Sequence, residues 1–184
     1  MRQVIVSSLI SADSVVGDPQ GWANRNFEAE DVAASIAALQ RSHAMLMGRR
    51  AYEYFAPVWG PADNPYAEQL RRLPKLVFTS RPLSGGWENA EVAGTDPVAT
   101  VRELREQGDD DLMIYGFTRL AATLLQAGLV DLLKLAVHPV LVGTGAGPFL
   151  AGQAGDVELV DTRVRRLGVV DLTYRCGSAA AGSR

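Results

Sequence analysis

Asp111-Leu112-Met113-Ile114-Tyr115-Gly116-Phe117-Thr118, with the residues that follow it to Val142, decides the fold. Leu112 to Tyr115 is a short apolar run that reads as a buried strand, and Gly116-Phe117 is a turn. Thr118 then caps a helix whose Leu120, Leu124 and Leu125 recur at helical spacing. Gly128 ends that helix, and Leu133-Lys134-Leu135-Ala136-Val137 opens a second strand. A strand, a helix and a strand in so short a span make a βαβ crossover, which requires parallel strands in one sheet.

Working outward, the same grammar repeats. Val4-Ile5-Val6 with Leu9-Ile10 is a first strand. Residues 27–40 read as a helix with Asn26 as N-cap, Glu28, Glu30 and Asp31 at its positive start, and Val32, Ile36 and Leu39 on one face. Ala44-Met45-Leu46-Met47 is a buried run ending at Gly48, and a helix follows around Ala51 to Phe55. Residues 63–73 form another helix, stopped by Pro74, and Leu76-Val77-Phe78-Thr79 a further strand. Residues 97–107 are helical, with Pro97 at the start and Gly108 past the end. Val157–Val164 and Val169–Tyr174 alternate and pair antiparallel at one sheet edge. The expectation is a single α/β domain over residues 1–176 and a short small-residue tail over 177–184.

Composition removes whole classes of function. The chain has 184 residues and a formal net charge of −3, with 47% hydrophobic and 21% charged residues, the balance of one globular domain. The charge leaves no basic footprint for nucleic acid. No apolar run reaches the roughly 18 residues of a membrane span. One cysteine, Cys176, excludes an intrachain disulfide, and two histidines with that cysteine cannot build a His/Cys zinc cluster. These features, with no secretory leader in the first residues, point to the cytoplasm.

Chemistry in an open parallel sheet sits beyond the carboxyl ends of its strands. Three such ends carry anion-friendly groups: Gly48-Arg49-Arg50, Thr79-Ser80-Arg81 and Gly116-Phe117-Thr118-Arg119. Glycine admits a ligand to the backbone, helix starts present free N–H groups, and guanidinium groups pair with phosphate. Any one of them also reads as a turn with a solvated arginine; together they point to a phosphate-rich cofactor. Between the first strand and first helix, Asp13-Ser14-Val15-Val16-Gly17-Asp18-Pro19-Gln20-Gly21-Trp22 forms a long loop that reads either as a lid or as a surface loop with Trp22 packed on the core.

This succession of Asp13…Val16-Gly17…Trp22, Met47-Gly48-Arg49-Arg50-Ala51-Tyr52-Glu53, Val77-Phe78-Thr79-Ser80-Arg81 and a glycine turn into a helix resembles the dihydrofolate reductase fold. Gly116…Leu120-Ala121…Leu124-Leu125…Gly128-Leu129-Val130-Asp131…Leu135…His138-Pro139-Val140…Gly143 resembles the reductase domain of the bifunctional riboflavin-biosynthesis deaminase-reductases and their stand-alone relatives. The resemblance spans residues 2–175 and implies a three-layer αβα domain with a mostly parallel sheet and antiparallel C-terminal edge strands. It implies NADPH as cofactor and hydride transfer to a small pteridine-like or pyrimidine-like ring. By position, Gly48, Arg49 and Arg50 would lie at the cofactor phosphates. Thr79, Ser80 and Arg81 would approach the 2′-phosphate, and Gly116, Phe117, Thr118 and Arg119 the pyrophosphate. Trp22 would belong to the mobile loop beside the nicotinamide. Asp31, with Glu30 and Glu28 as rivals, would be the acid that holds and helps protonate the substrate, unless it serves only as a helix-start charge. Two departures stand out: the second turn reads Gly116-Phe117-Thr118 where the family often has Gly-Ser-Gly, and the lysine and aspartate-rich loop of the riboflavin-pathway reductases are missing.

Four further readings complete the set. His138, alone in an apolar alternation, is expected to pack or hydrogen-bond within the core. Gly143 to Gly147 reads as a flexible connection or a ligand-hugging loop. Cys176 has no neighbour in sequence that would activate it. A homodimer follows from the relatives, with the apolar segment Leu129 to Val142 extending an edge or carrying the interface. The alternative to a reductase is a non-catalytic protein of this fold that binds a nucleotide or heterocycle.

Overall fold

The computed structural model describes residues 1–143 and 152–177, so the glycine-rich run from 144 to 147 and the tail from 178 lie outside the described residues. The strands are β1 (Val4–Ser11), β2 (Ser42–Gly48), β3 (Lys75–Phe78), β4 (Ala90–Val92), β5 (Asp111–Tyr115), β6 (Leu132–His138), β7 (Val157–Val164) and β8 (Val170–Cys176). The helices are α1 (Ala29–Gln40), α2 (Arg49–Trp59), α3 (Pro65–Arg72), α4 (Pro97–Glu106) and α5 (Arg119–Gln126). All strands join one eight-stranded sheet in the order β4-β3-β2-β5-β1-β6-β8-β7.

The crossover unit is as expected, with one refinement. β5 and β6 both pair parallel to β1, so α5 carries the chain over β1 from one side to the other. β1 to β6 run parallel, while β8 pairs antiparallel with β6 and with β7. The αβα layering follows from period-two alternation on the central strands. Val4, Val6, Ala44, Leu46, Leu112 and Ile114 face α4 and α5. Met45 and Met47 face the other way, in a core with Leu39 of α1, Tyr52 and Ala56 of α2 and Leu70 of α3.

Local chemistry sets the helix starts. Asn64 caps α3 by accepting from Ala67 N at 2.9 Å, and Asp96 caps α4 by accepting from Val98 and Ala99 N–H groups, each cap worth about 1 kcal/mol. Pro65 and Pro97 occupy the first turns, where their missing N–H costs nothing. α1 departs from expectation. It starts at Ala29 with Glu28 as N-cap, because the Asp31 side chain folds back to accept from Glu28 N at 3.0 Å. Asn26 therefore lies outside the helix, and Val32 is 39% exposed while Asp31 and Leu39 are buried. β4, three residues long, has no period of its own and was not foreseen.

The expected edge is also corrected. Leu129–Val142 contains β6, which is interior because the β7–β8 hairpin covers its outer side. The true edge on that side is β7, exposed along its whole length. Among the described residues no helix is long and apolar enough to cross a membrane.

Candidate active site

Strand order brings together the three ends that the sequence singled out. β3, β2 and β5 are neighbours and parallel, and Gly48 pairs level with Phe78. The ends at Gly48, Thr79 and Gly116 therefore line up along one rim of the sheet. Gly48 is the N-cap of α2 at φ −82°, a conformation open to any residue, and a Cβ added there would touch nothing within 4 Å. The glycine thus leaves free space at a helix start, where N–H groups and the helix dipole favour an anion. Gly116 differs: its φ of +78° makes the turn itself require glycine.

The arginines around this rim divide into two kinds. Arg49 is engaged, with Nε 2.7 Å from Glu53 and Nη1 donating to Pro82 O at 3.2 Å, which links α2 to the loop after β3. Arg50, Arg81 and Arg119 are exposed, and their side chains have no ion pair or hydrogen bond among the described residues. Thr79 is buried, and its hydroxyl accepts from Arg81 N at 3.1 Å, shaping the turn that presents Ser80 and Arg81. Thr118 starts α5 with a long 3.4 Å hydrogen bond from Ala121 N, and Phe117 packs its ring on the core beneath. The residues present fit a phosphate-bearing cofactor: exposed cations share the rim with the start of α2, which no side chain caps.

A second cluster lies at the far ends of β1 and β6. The loop over residues 12–28 contains two short 3-10 turns, Pro19–Gly21 and Asn24–Asn26. The Asp13 carboxylate anchors it, taking hydrogen bonds from the Ser11 hydroxyl at 2.5 Å and from Val142 and Gly143 N–H groups. The Ser11 hydroxyl and then the Gly143 and Val142 amides hold Asp13 down to a pKa of about 2. Tyr54 donates to Asp18 at 3.0 Å, and Trp22 Nε1 donates to Gly17 O at 3.0 Å. Trp22 is buried, so it both packs on the core and belongs to the loop over the site.

Beneath the loop stands Asp31. Of the three acids at the start of α1, it alone is buried; Glu28 pairs with Arg166, and exposed Glu30 lies 3.7 Å from Arg163. Asp31 Oδ2 takes the Glu28 N–H, and Oδ1 lies 3.4 Å from Arg165 Nε. Arg165 is held by Asp171 through two hydrogen bonds of 2.7 and 2.5 Å. The turn that carries it packs close to Pro139, which lies 3.5 Å from where a Cβ on Gly168 would sit.

His138 packs in the core, the first of its two expected roles, and does so without the second. It is fully buried, yet neither ring nitrogen has a hydrogen-bond partner among the described residues. Trp22 meets it edge-on at 5.5 Å, and Phe27 is tilted against it at 5.7 Å. Burial, then the Arg165 charge, pushes its pKa down, against the pull of Asp171 and Asp31. Arg165 and Asp171 were missed by sequence reasoning, since a hairpin arginine carries no local sign of a contact across the fold. Cys176 is buried, and burial raises its thiol pKa, in keeping with an inert role.

Residues 2–173 match the model of the RibD C-terminal domain family. The chain is 24% identical to the uncharacterized protein YyaP of Bacillus subtilis (strain 168), covering 94% of each chain. Its structure is similar to that of a protein assigned to riboflavin biosynthesis from Shewanella sp. PV-4, with TM-score 0.74, 19% identity, and 94% and 98% of the two chains covered. It is similar to a diaminohydroxyphosphoribosylaminopyrimidine deaminase/5-amino-6-(5-phosphoribosylamino)uracil reductase from Thermotoga maritima, with TM-score 0.65, 12% identity, and 95% of this chain and 56% of that one covered. Schistosoma mansoni dihydrofolate reductase gives TM-score 0.61 at 14% identity, with 95% and 98% covered. With this fold and a match over nearly its whole length, the chain belongs to the RibD C-terminal domain family.

Proposed function

We propose that the chain is an NADPH-dependent reductase that passes a hydride to a small, pteridine-like or pyrimidine-like heterocycle. The observation that carries this reading is the rim of three adjacent strand ends, which bears the exposed Arg50, Arg81 and Arg119 and, at Gly48, open space at a helix start. Gly48, Arg49 and Arg50 hold the phosphates near α2, while Thr79, Ser80 and Arg81 take the 2′-phosphate. Gly116, Phe117, Thr118 and Arg119 present the α5 start to the pyrophosphate. The bound cofactor supplies the hydride; the protein supplies orientation and electrostatics. Trp22 closes the site, and Asp31 is the acid beneath it. The family match and the reductases among the structural relatives support the same chemistry.

Calorimetry with NADPH and NADH tests this reading. Tighter NADPH binding, lost on Arg81→Ala, is the expected result, and equal affinity for the two cofactors would refute it. A second reading, a non-catalytic binder of this fold, draws on the Asp31 carboxylate being already engaged by Glu28 and Arg165. NADPH binding with no turnover on any pterin or aminopyrimidine would favour that alternative. The same proposal places the protein in the cytoplasm and pairs it as a homodimer, which light scattering above the 19.8 kDa monomer mass would support.

A further inference from the structure

The corner under the loop holds polar atoms that the fold leaves unused. His138 Nδ1 and Nε2 and Arg165 Nη1 are buried and have no partner among the described residues. Asn26 Oδ1, one residue before Phe27, is in the same condition. Buried polar groups are nearly always paired, and orphaned ones cost stability, so several in one corner call for a ligand. The rest of each side chain is firmly held. Asp171 and Asp31 fix the Arg165 guanidinium, and Trp22 and Phe27 flank the imidazole.

We propose that His138 and Arg165 form the polar floor of the substrate slot and read the amide edge, a ring carbonyl beside a ring N–H, of an uncharged heterocycle. This deepens the reductase reading and rests on it. A neutral imidazole offers one donor and one acceptor, and Arg165 Nη1 adds donors. Their complement is a ligand edge with a donor N–H between or beside acceptors, which lactam and ureide rings present and a plain hydrocarbon ring does not. Charge selects within that class. Arg165 already faces two carboxylate side chains, Asp31 from α1 and Asp171 from β8, so a phosphate or carboxylate on the ligand would be repelled from this floor. The depressed pKa of His138 keeps it in the neutral form that can accept. Access comes from the loop over 12–28, whose polar ties to the rest of the fold include the Asp13 anchor, the Ala12–Val140 backbone hydrogen bond, the Tyr54–Asp18 hydrogen bond and the Glu28–Arg166 pair, most of them near its two ends. Lifting Trp22 and Phe27 exposes the floor.

The chain has two histidines, which makes the test direct. With imidazole-labelled protein, 5-aminouracil and pterin are titrated and both histidine resonances followed by NMR. The expected result is a saturable shift of the His138 signal with His43 unmoved. 2,4-Diaminopyrimidine, which lacks the ring carbonyl, should bind at least about 10-fold more weakly, the scale of one lost charge-assisted hydrogen bond. His138→Phe should weaken 5-aminouracil binding by a similar factor, keep NADPH binding, and melt no lower than wild type, because two orphaned polar atoms are gone. His138→Gln, which restores one polar group, should recover part of the affinity and serves if the phenylalanine variant does not fold. A His138 signal unmoved by millimolar 5-aminouracil and pterin would overturn the proposal, as would undiminished binding in both variants. The underlying reading fails separately: a His138 shift in a protein that neither binds NADPH nor oxidises it leaves the floor standing and sinks the reductase. Turnover that is intact in both variants sinks the floor and leaves the reductase.

Discussion

The rim at β3, β2 and β5 and the corner at β1, β6 and the β7–β8 turn solve opposite problems with similar residues. On the rim, Arg50, Arg81 and Arg119 are exposed and have no partner among the described residues, Arg49 is paired with Glu53, and Gly48 leaves open space at the start of α2. In the corner, the guanidinium of Arg165 is largely buried and paired with two carboxylates, near an imidazole that aromatic rings flank and that has no hydrogen-bond partner among the described residues. An exposed cation attracts a charged ligand from solution, and its pull fades with salt. A buried array discriminates by which hydrogen bonds it leaves unmade. The contrast separates affinity for a cofactor from selection of a substrate.

The sharpest way to break this division is Asp31→Asn. Positioned acid catalysis is worth about 10²–10⁴-fold, so turnover should fall by that factor while calorimetric NADPH affinity holds. Loss of both together would mean that rim and corner are one unit. Next is Arg81→Ala, which should weaken NADPH by about 10- to 100-fold and leave NADH alone. The wild-type preference should also shrink as salt rises, and a salt-independent preference would contradict a rim built on exposed charge.

Gly48→Ala sharpens the rim further. The backbone there accepts a side chain and nothing crowds the Cβ, so the variant should gain about 0.4–1 kcal/mol of stability in urea unfolding. The methyl group would nevertheless occupy the cradle and weaken NADPH roughly 2- to 10-fold, about the worth of one hydrogen bond. Unchanged affinity would move the phosphates elsewhere.

The smallest effect concerns the loop anchor. Asp13 is held at about 2, below the ordinary carboxylate value, by Ser11 and then by the Gly143 and Val142 amides. A depressed folded-state pKa means that its contribution is complete above about 4 and is lost as pH falls toward 2. Trp22 fluorescence should therefore report loosening of the loop in that window, and Asp13→Asn should show it already at neutral pH. A flat profile in the wild type would show that other contacts keep the corner shut.

The rim was readable from the sequence, whereas of the corner only Trp22 and Asp31 were named, through the resemblance, and Arg165 and Asp171 were not, for a physical reason. Glycine and arginine after an apolar run are local signals, and parallel strands must deliver such ends to one side. Helix starts at Pro65 and Pro97 were equally local. Asp31 and Arg165 meet only because the hairpin folds back over β6, and nothing beside either residue announces the other. The Asp31 side chain also sets the start of α1 past Asn26, and of the face inferred from Val32, Ile36 and Leu39 only Leu39 is fully buried. His138 looked like one more member of an alternation; only its missing partners distinguish it.

The two margins of the sheet are unequal, and that inequality limits how copies can assemble. β4 offers three residues, whereas β7 offers eight, with Val157, Leu159 and Val164 outside and Glu158 and Arg163 between them. Among the described residues β7 is the longer edge, so a second copy meeting it edge to edge would pair most fully through its own β7. That contact is isologous, places the same patch on both copies about a two-fold axis, and consumes the reactive margin of each. Assembly of that kind would close at two and leave no second long edge from which a fibre could grow.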